Sequence, residues 1–491
     1  MNFLKTPYSM KKIKSLALIT FVFIFNNCSE NNIDCSLNPS LTTNKVTEVS
    51  QSSAKLSAEI ILPTCDNTVT SQGFVYSKTT LPKIDDFVVE LNGENILAQI
   101  ENLEENTTYF VRAFFINPIG EFYGNEIVFQ TTKFEKTYVP DDVFETILIR
   151  LGYDDVLDDF VDNKNIININ KFSLSDNVNN LSINDATGLE NFIGLDTLHC
   201  GGHKFKTLDL SKMKELQHLY LDYGELTSLD ISNNKQLKWL IASRNKINSI
   251  DFTQNTELTL VDVRANEINT VDITNNINLI TFNISKNNIN SIDFSKNLKL
   301  QRLALSENPI TSNIDVSNHI ELRMLSLSSL KLSSIDLTKN INLTNLYLKN
   351  NYLTSLDLSS LSELGSLVCD QNQFSTIDIS NNKKLHEIRL RENNLSEINI
   401  SNQDNLREIW LNNNKITSMI LGEYPNFQKL EIKDNNLESL NISNVKNWFN
   451  LSTKGNSNLI CIKASEFHVN NWTTNGLFNV DNFTTLATTC N

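Results

Sequence analysis

A motif that recurs with near-constant spacing from Leu195 onward constrains the fold of this chain more than any other feature. Its twelve starts lie 21 residues apart, with one interval of 22 in which Asn313 is the extra residue. They fall at 195, 216, 237, 258, 279, 300, 322, 343, 364, 385, 406 and 427, and a degenerate thirteenth unit begins at 448. One unit cannot bury an apolar face by itself, so neighbouring units must stack into a continuous core.

The unit that begins at Leu343 shows which positions are apolar. Leu346, Leu348 and Leu353 follow at its fourth, sixth and eleventh positions, and Asn351 occupies the ninth. This pattern matches the leucine-rich repeat, L-x-x-L-x-L-x-x-N-x-L. We therefore predict a mainly β fold, with a curved leucine-rich-repeat solenoid of about 12 repeats of 21 residues over residues 195–447.

The ninth-position Asn is predicted to be buried where each strand turns out of the sheet. Its side-chain amide can bond backbone groups that the turn leaves unpaired, so the column should form a ladder. The Asn recurs at 245, 266, 287, 308, 351, 372, 393, 414, 435 and 456. His203, Gly224 and Leu330 stand where the ladder is interrupted.

Residues 133–194 are predicted to form a short helical cap at the N-terminal end of the solenoid. The helix begins in the segment Pro140–Asp142 and ends at Gly152. Its apolar face is predicted to contain Val143, Phe144, Ile147, Leu148 and Leu151. An acidic cluster follows at Asp154, Asp155, Asp158 and Asp159. Because the cluster lacks the spacing and the closing Glu of an EF-hand loop, we expect a solvated acidic turn.

Residues 41–132 alternate apolar and polar residues in about seven short runs separated by turn residues. This pattern predicts an antiparallel β-sandwich. The segment Leu103–Ala113, which places Tyr109 where a tyrosine corner would be, resembles the late strands of fibronectin type III-like domains. The resemblance implies a fibronectin type III-like domain that serves as a spacer.

The N-terminus is typical of an exported protein. The apolar run Leu16–Phe25 follows several lysines and is too short to cross a hydrocarbon core of about 30 Å. A basic segment followed by a short apolar one predicts a signal peptide over residues 1–27. The sequence around Cys28 resembles the lipobox of bacterial lipoproteins, which implies that Cys28 is lipidated and that residues 28–40 form a tether. Ordinary secretion with an unmodified Cys28 is the alternative.

Residues 448–491 depart from the repeat pattern and are predicted to cap the C-terminal end of the solenoid, whose open edge would otherwise template aggregation. They resemble the closing segment of secreted bacterial leucine-rich-repeat proteins, in which two cysteines flank a Trp-containing stretch. This resemblance implies a disulfide bond between Cys461 and Cys490, which an oxidising compartment permits.

The remaining cysteines receive different interpretations. Cys200 and Cys369 occupy a core-facing repeat position eight repeats apart, so they are predicted to be buried thiols that do not pair. Cys35 and Cys65 either pair or remain free, and the sequence favours neither alternative.

Composition and motifs argue against nucleic-acid binding and against catalysis. The formal net charge is −15, which repels phosphate backbones. The sequence contains no Gly-x-Ser-x-Gly, phosphate-loop or HExxH motif. We therefore predict a protein that is not an enzyme and that has no catalytic residues, no metal and no other cofactor.

Two groups of residues are candidate metal ligands. His199 and His218 lie at outward positions of neighbouring repeats near Asp222, but a structural role is favoured for the region because Cys200 points to the core. A column of Asp residues recurs at 209, 230, 251, 272, 293, 315, 336, 357 and 378. Asp residues beside such turns commonly accept local backbone hydrogen bonds, so this role is preferred over calcium binding.

The outward columns of the predicted strands form the concave face of the solenoid and are the candidate binding site. The predicted ligand-binding residues are Tyr220, Trp239, Ile241, Arg264, Tyr347, Arg389, Arg391 and Trp410. Aromatic residues and Arg are the types enriched at binding hot spots. An exposed Trp410 has no core to fill, which favours a partner.

The order of the segments resembles bacterial surface lipoproteins that carry a fibronectin type III-like domain and an internalin-like leucine-rich-repeat domain. The resemblance implies a non-enzymatic adhesion module, lipid-anchored at the bacterial outer membrane through Cys28 and exposed at the cell surface. Its concave face is expected to bind an extracellular protein.

Two alternatives remain open. The first is glycan capture, in which Trp239, Tyr347 and Trp410 would stack on sugar rings. The second is a passive envelope scaffold without a specific ligand. Because the concave arginines stand out on an acidic molecule, protein binding predicts salt-dependent association, whereas sugar stacking predicts little salt dependence.

Overall fold

A computed structural model describes residues 39–62, 68–93, 96–133, 135–174, 182–401, 403–471 and 477–490. The chain divides into two compact units between Glu135 and Lys136. The predicted signal peptide, Cys28, Cys35 and Cys65 lie outside the described residues. Within the described ranges, no helix is long and apolar enough to cross a membrane.

The first unit contains two antiparallel sheets. One sheet pairs β1 (Ser40–Thr43), β2 (Ala54–Ile61) and β5 (Ile96–Ile100) in that order. The other consists of β3 (Ser71–Ser77), β4 (Phe87–Glu90), β6 (Thr108–Asn117), β7 (Gly120–Tyr123) and β8 (Ile127–Gln130). Its order is β4-β3-β6-β7, and β8 also pairs with β6.

The apolar residues of both sheets form one core. Leu56 of the first sheet packs in a single buried cluster with Phe74, Tyr109 and Phe129. The Tyr109 hydroxyl also accepts a hydrogen bond from the backbone N–H of Glu104, at 3.0 Å. A tyrosine corner makes a local contact of this kind, which ties the turn before β6 to the core.

The second unit begins with the N-terminal cap. Its elements are β9 (Lys136–Tyr138), α1 (Asp142–Leu151), β10 (Phe160–Asp162), α2 (Asn163–Ile166) and a 3-10 turn at Leu189–Asn191, and β9 pairs antiparallel with β10. Asp141 caps α1 by accepting hydrogen bonds from the backbone N–H groups of Val143 and Phe144. The helix ends as predicted at Gly152, whose φ of +79° suits glycine.

The buried face of α1 differs from the prediction at two residues. Phe144, Ile147 and Leu148 are buried as predicted. Leu151 is 43% exposed, so its assignment to the apolar face was wrong; it is the last residue of the helix, next to the turn at the C-cap. Glu145, in contrast, is fully buried beside the apolar residues.

Short parallel strands form the main sheet of the solenoid. They are β11 (Lys171–Ser173), β12 (Thr197–His199), β13 (His218–Tyr220), β14 (Trp239–Ile241), β15 (Leu260–Asp262), β16 (Thr281–Asn283), β17 (Arg302–Ala304), β18 (Met324–Ser326), β19 (Asn345–Tyr347), β20 (Ser366–Val368), β21 (Glu387–Arg389), β22 (Glu408–Trp410), β24 (Lys429–Glu431), β26 (Asn450–Ser452) and β28 (Phe478–Asn479). The predicted solenoid is confirmed. The sheet also extends beyond it, because β11 precedes the first predicted repeat and β28 follows the last.

A second parallel sheet, which the sequence analysis did not predict, lies at the C-terminal end of the solenoid. It pairs β23 (Ser418–Ile420), β25 (Ser439–Asn441), β27 (Cys461–Lys463) and β29 (Thr485–Ala487) in that order. Between β27 and β29 the chain forms α3 (Glu466–Asn471) and then β28 of the main sheet. A disulfide bond joins Cys461 to Cys490, with their Cα atoms 5.8 Å apart. Cys200 and Cys369 are buried free thiols, as predicted.

The ninth-position Asn side chains form the predicted ladder. The Nδ2 group of Asn351 donates to the carbonyl oxygens of Leu327 at 3.0 Å and Leu348 at 2.9 Å. Its Oδ1 atom accepts from the backbone N–H of Leu332 at 3.0 Å. Each such Asn therefore bonds its own turn to the preceding one. At the first interruption, His203 is buried and stacks on Phe205.

A second buried column of amides connects neighbouring turns on the side away from the main sheet strands. It consists of Asn234, Asn255, Asn276, Asn297, Asn340 and Asn382. The Nδ2 group of Asn276, for example, donates to the carbonyl oxygens of Phe252 at 3.1 Å and Asn255 at 2.8 Å. His319, Gln403 and Tyr424 occupy the same position in other turns and bond equivalent carbonyl oxygens.

Candidate binding surface

The candidate surface is the outward face of the main parallel sheet. In most of its strands the middle residue is buried and the first and third residues face outward. Trp239 stands first in its strand, Tyr220, Ile241, Tyr347, Arg389 and Trp410 stand third, and Arg264 and Arg391 follow two residues after a strand ends. Trp239 and Arg264 are exposed and the other six are half-buried, so all eight reach the surface.

The first strands carry an aromatic patch, defined here by His199, His218, Tyr220, Trp239 and Ile241. The ring of His199 stacks on Tyr220 with centroids 4.0 Å apart. His218 meets Trp239 edge to face at 4.8 Å. Strand register places Ile241 directly beside Tyr220. Three neighbouring strands therefore present a continuous aromatic and apolar surface to solvent.

None of the five residues of the aromatic patch is a carboxylate, lysine or arginine. Burial lowers the pKa of His199, which favours the neutral form of its ring. The patch ends at Asp262, which pairs in register with Ile241 on the next strand. The Nε atom of Arg264 lies 3.6 Å from the Oδ2 atom of Asp262. The charges at this boundary therefore compensate each other.

Toward the C-terminal end of the main sheet, the strands β21, β22 and β24 carry most of a group that we call the Trp410 cluster. It consists of Asp370, Glu387, Arg389, Arg391, Glu408, Trp410, Lys429 and Glu431. Three cations lie against the ring of Trp410: Lys429 Nζ at 3.8 Å from its centroid, Arg389 Cζ at 4.8 Å and Arg391 Cζ at 5.2 Å. Cations attract the negative face of an indole ring, so Trp410 is held by its own chain.

Each cation of the Trp410 cluster also has an acidic partner. The pairs are Arg389–Glu387 at 2.6 Å, Arg391–Asp370 at 2.7 Å and Lys429–Glu431 at 2.7 Å, and the indole N–H of Trp410 donates to Glu408 at 3.2 Å. The most buried partner is Asp370, whose side chain is 2% exposed. Arg389 and Arg391, which were expected to make association salt-dependent, are therefore already paired with acidic side chains of the same chain.

The predicted site thus divides into two regions. Tyr220, Trp239 and Ile241 come together in the aromatic patch, and Arg389, Arg391 and Trp410 come together in the Trp410 cluster. Tyr347 lies between them, five strands from Trp239, at a distance of about 24 Å. Sequence reasoning missed Lys429, although it continues the outward column of first strand residues by one repeat beyond Glu408.

The columns that were weighed as metal ligands have structural partners. The Oδ1 atom of Asp272 accepts the backbone N–H of Thr274 at 2.9 Å, and the corresponding bond recurs down the column. The hydrogen bonds from Thr274 lower the pKa of Asp272. Among the described residues, the one group of acidic, His or Cys side chains close enough to share a metal lies elsewhere, at Glu145, Asp154 and Asp158.

Comparison with solved structures identifies the fold. The functional domain of InlJ from Listeria monocytogenes, described as including a cysteine ladder, aligns with a TM-score of 0.57 and 25% identity over 71% of this chain and 81% of that chain. The internalin InlF from Listeria monocytogenes aligns with a TM-score of 0.51 and 18% identity, over 72% and 96% of the two chains. No protein-family model and no curated protein sequence matches the chain. The solenoid is therefore an internalin-like leucine-rich-repeat fold, which indicates a protein-interaction module.

Proposed function

We propose that this protein is a non-enzymatic cell-surface lipoprotein that binds an extracellular protein through the outward face of its parallel sheet. The aromatic patch is the observation that carries the proposal. Trp239 is 41% exposed, and its neighbours Tyr220 and Ile241 lie half-buried on the same face. Aromatic side chains that are held rigid before binding lose little entropy when a partner covers them.

The two ends of the sheet differ in how much of their surface is available to a partner. In the aromatic patch, the ring contacts leave apolar surface exposed, and the five patch residues include no carboxylate, lysine or arginine. In the Trp410 cluster, a ligand would have to displace cations from the indole ring and break their ion pairs. We therefore propose that the partner contacts mainly the aromatic patch. The Trp410 cluster has a structural role in this proposal.

The same contrast bears on the glycan alternative. Sugar capture along the whole face would use Trp239, Tyr347 and Trp410 as stacking platforms. Lys429 already lies 3.8 Å from the centroid of the Trp410 ring, so this platform is occupied. The remaining two aromatic residues are about 24 Å apart. This separation favours a protein partner over a single short glycan.

The proposed location is supported by sequence and by covalent structure. The basic and apolar N-terminal segment and the lipobox-like sequence at Cys28 support export, lipid anchoring and display at the bacterial outer membrane. The disulfide bond between Cys461 and Cys490 is typical of proteins in an oxidising compartment. A fibronectin type III-like first unit would hold the solenoid away from the membrane.

A binding screen tests the proposal. The chain from Ser29 onward would be presented to a panel of extracellular-matrix and host-surface proteins and to a glycan array. A Y220A/W239A variant would be compared with Y352A, since Tyr352 is 53% exposed but lies outside the strands of the sheet. All three forms must show the same thermal unfolding.

We expect specific binding to one or more proteins, retained by Y352A and lost by Y220A/W239A. Binding only to glycans, with the same loss in the double variant, would support the glycan alternative and overturn the proposed class of ligand. An absence of binding, or equal binding by both variants, would contradict a ligand-binding role for the patch and favour the scaffold alternative.

A further inference from the structure

The N-terminal cap contains a buried carboxylate, Glu145, with one oxygen that accepts hydrogen bonds and one that accepts none. Glu145 lies on the buried face of α1 between Phe144 and Ile147 and has no exposed surface. Its Oε1 atom accepts the backbone N–H groups of Asp158 at 2.9 Å and Phe160 at 3.2 Å. Its Oε2 atom is buried and has no hydrogen-bond partner. Burying an unpaired carboxylate oxygen is costly, and this cost falls when the carboxylate binds a proton or when a cation lies beside it.

Two further carboxylates from the loop after α1 face Glu145. Asp154, Asp158 and Glu145 each place a carboxylate oxygen within 4.8 Å of the other two. The Oδ2 atom of Asp154 is also buried without a partner. Burial raises the pKa of Asp154, and the negative charges of Glu145 and Asp158 raise it further. The three groups repel one another unless a cation lies among them.

Within the described part of the chain, too few positive charges lie near these three carboxylates to balance their negative charge. Lys136 Nζ lies 3.4 Å from the Oδ2 atom of Asp158, and both side chains of this pair are substantially exposed. Its single charge faces three carboxylates, and it does not reach the partnerless oxygens of Glu145 and Asp154. A divalent cation would balance the remaining two negative charges.

We propose that Glu145, Asp154 and Asp158 form a calcium site that fixes the loop after α1 to the N-terminal cap. Ca²⁺ binds carboxylate oxygens at about 2.3–2.6 Å and accepts irregular geometry, so oxygens up to about 5 Å apart can share one ion. Water and loop carbonyl groups would complete the coordination, as is usual for Ca²⁺. This proposal does not depend on the function proposed for the sheet.

The sequence pattern hid this arrangement because the ligands do not follow an EF-hand spacing. Asp155 and Asp159 are exposed, as expected of a solvated turn. Asp154 and Asp158 instead lie beside Glu145, which precedes them by 9 and 13 residues and shares the buried face of α1 with core residues. The acidic cluster alone predicts a solvated turn, whereas the fully buried Glu145 makes it a cation site.

Calcium titration of the chain from Ser29 onward, after treatment with a chelator, tests the site. Isothermal titration calorimetry should show one Ca²⁺ bound per chain, with a Kd of about 10⁻⁴–10⁻³ M or tighter. The midpoint of thermal unfolding should rise with Ca²⁺ and fall again with chelator, because an ion that binds only the folded state stabilises it. Equal concentrations of Mg²⁺ should have a smaller effect.

Matched substitutions decide the outcome. E145Q and D154N should each weaken Ca²⁺ binding at least about tenfold and remove the calcium-dependent rise in unfolding temperature. D155N changes the adjacent exposed carboxylate and should behave like the unmodified chain. If E145Q fails to fold, D154N still tests the site, because Asp154 lies in the loop rather than in α1.

Three results would overturn the proposal. The first is the absence of both calcium-dependent heat and calcium-dependent stabilisation in the unmodified chain. The second is an equal loss of calcium binding in D155N and D154N. That result would mean that the ion is attracted only by the overall negative charge of the loop and has no specific site. The third is a stronger response to Mg²⁺ than to Ca²⁺, which would contradict the assignment of the metal.

Discussion

The two ends of the parallel sheet use the same backbone and the same outward columns in opposite ways. Near the N-terminal end of the sheet, Tyr220 and Trp239 contact the rings of His199 and His218 and leave apolar surface exposed. Near the C-terminus, Trp410 carries three cations, and each cation has its own acidic partner. The first arrangement leaves apolar surface that a partner could cover, whereas the side chains of the second already bond one another.

This difference shows that residue type alone does not identify a binding surface on a repeat protein. Trp410 and the adjacent arginines are the residues most often found at hot spots. A side chain contributes to affinity only if its contacts with the partner are more favourable than the contacts within the chain that it gives up. Arg391 would exchange a short ion pair with the buried Asp370 for a new contact, which brings little gain.

The largest effect on stability should come from breaking the Trp410 cluster at Arg391. In R391A, the nearly buried carboxylate of Asp370 loses its ion pair at 2.7 Å. We expect the free energy of unfolding to fall by about 2 kcal/mol, less than for a fully buried pair because Arg391 is partly exposed. Urea unfolding measures this loss, and ligand binding should remain within about twofold.

K349A is the matched control for R391A, because Lys349 occupies the same position of an earlier repeat and is exposed. Its substitution should change the free energy of unfolding by less than about 0.5 kcal/mol. A large loss of binding in R391A, with little loss of stability, would reverse the roles assigned to the two ends of the sheet.

Acidification should weaken the N-terminal end of the solenoid. Burial lowers the pKa of His203 and of His199, so their neutral forms are favoured in the folded chain. In the unfolded chain both regain a pKa of about 6.5 and bind more protons below that pH. Stability is therefore fully present above pH 6.5 and is lost as the pH falls through the lowered values of the folded state.

Urea unfolding at pH 7.5 and pH 5.5 measures this dependence, with H203N as the comparison. Asn occupies the equivalent ladder position in ten other repeats, so this variant keeps a side chain that the position accepts. We expect a smaller loss of stability on acidification in H203N than in the unmodified chain. An equal loss in both forms would exclude His203 as a source of the pH dependence.

Salt should have the smallest effect. The sequence suggested that free arginines would make protein binding salt-dependent, but Arg264, Arg389 and Arg391 each lie beside an acidic side chain. Binding through the aromatic patch should therefore change less than about threefold between low and moderate ionic strength, because apolar contacts are not screened. A steep decline of affinity with rising salt concentration would indicate that the partner binds the Trp410 cluster rather than the aromatic patch.

Much of the solenoid could be predicted because its period is visible in the sequence. Leucines at fixed offsets determine which side chains face inward, and Asn351 and its counterparts therefore had predictable partners. The second amide column was missed because fewer repeats keep its Asn. His319, Leu361, Gln403 and Tyr424 replace the Asn in some repeats, and other Asn residues beside the column obscure the pattern.

The limits of sequence reasoning at the candidate site have a physical cause. The outward columns gave the correct side of the sheet for Trp239 and Trp410, since alternation along a strand is fixed. Which side chains bond across neighbouring strands depends on rotamers and on partners 21 residues away, as for Arg391 and Asp370. Burial of a charged residue such as Glu145 is likewise a tertiary property that local pattern does not show.

The most direct test of the account compares the two ends of the sheet in one binding measurement. Affinity for a protein ligand from the screen would be measured for the unmodified chain, Y220A/W239A and R389A/W410A, each shown to be folded. We predict that Kd rises at least about 100-fold in Y220A/W239A and less than about threefold in R389A/W410A. The opposite order, or equal losses in both variants, would contradict the assignment of binding to the aromatic patch.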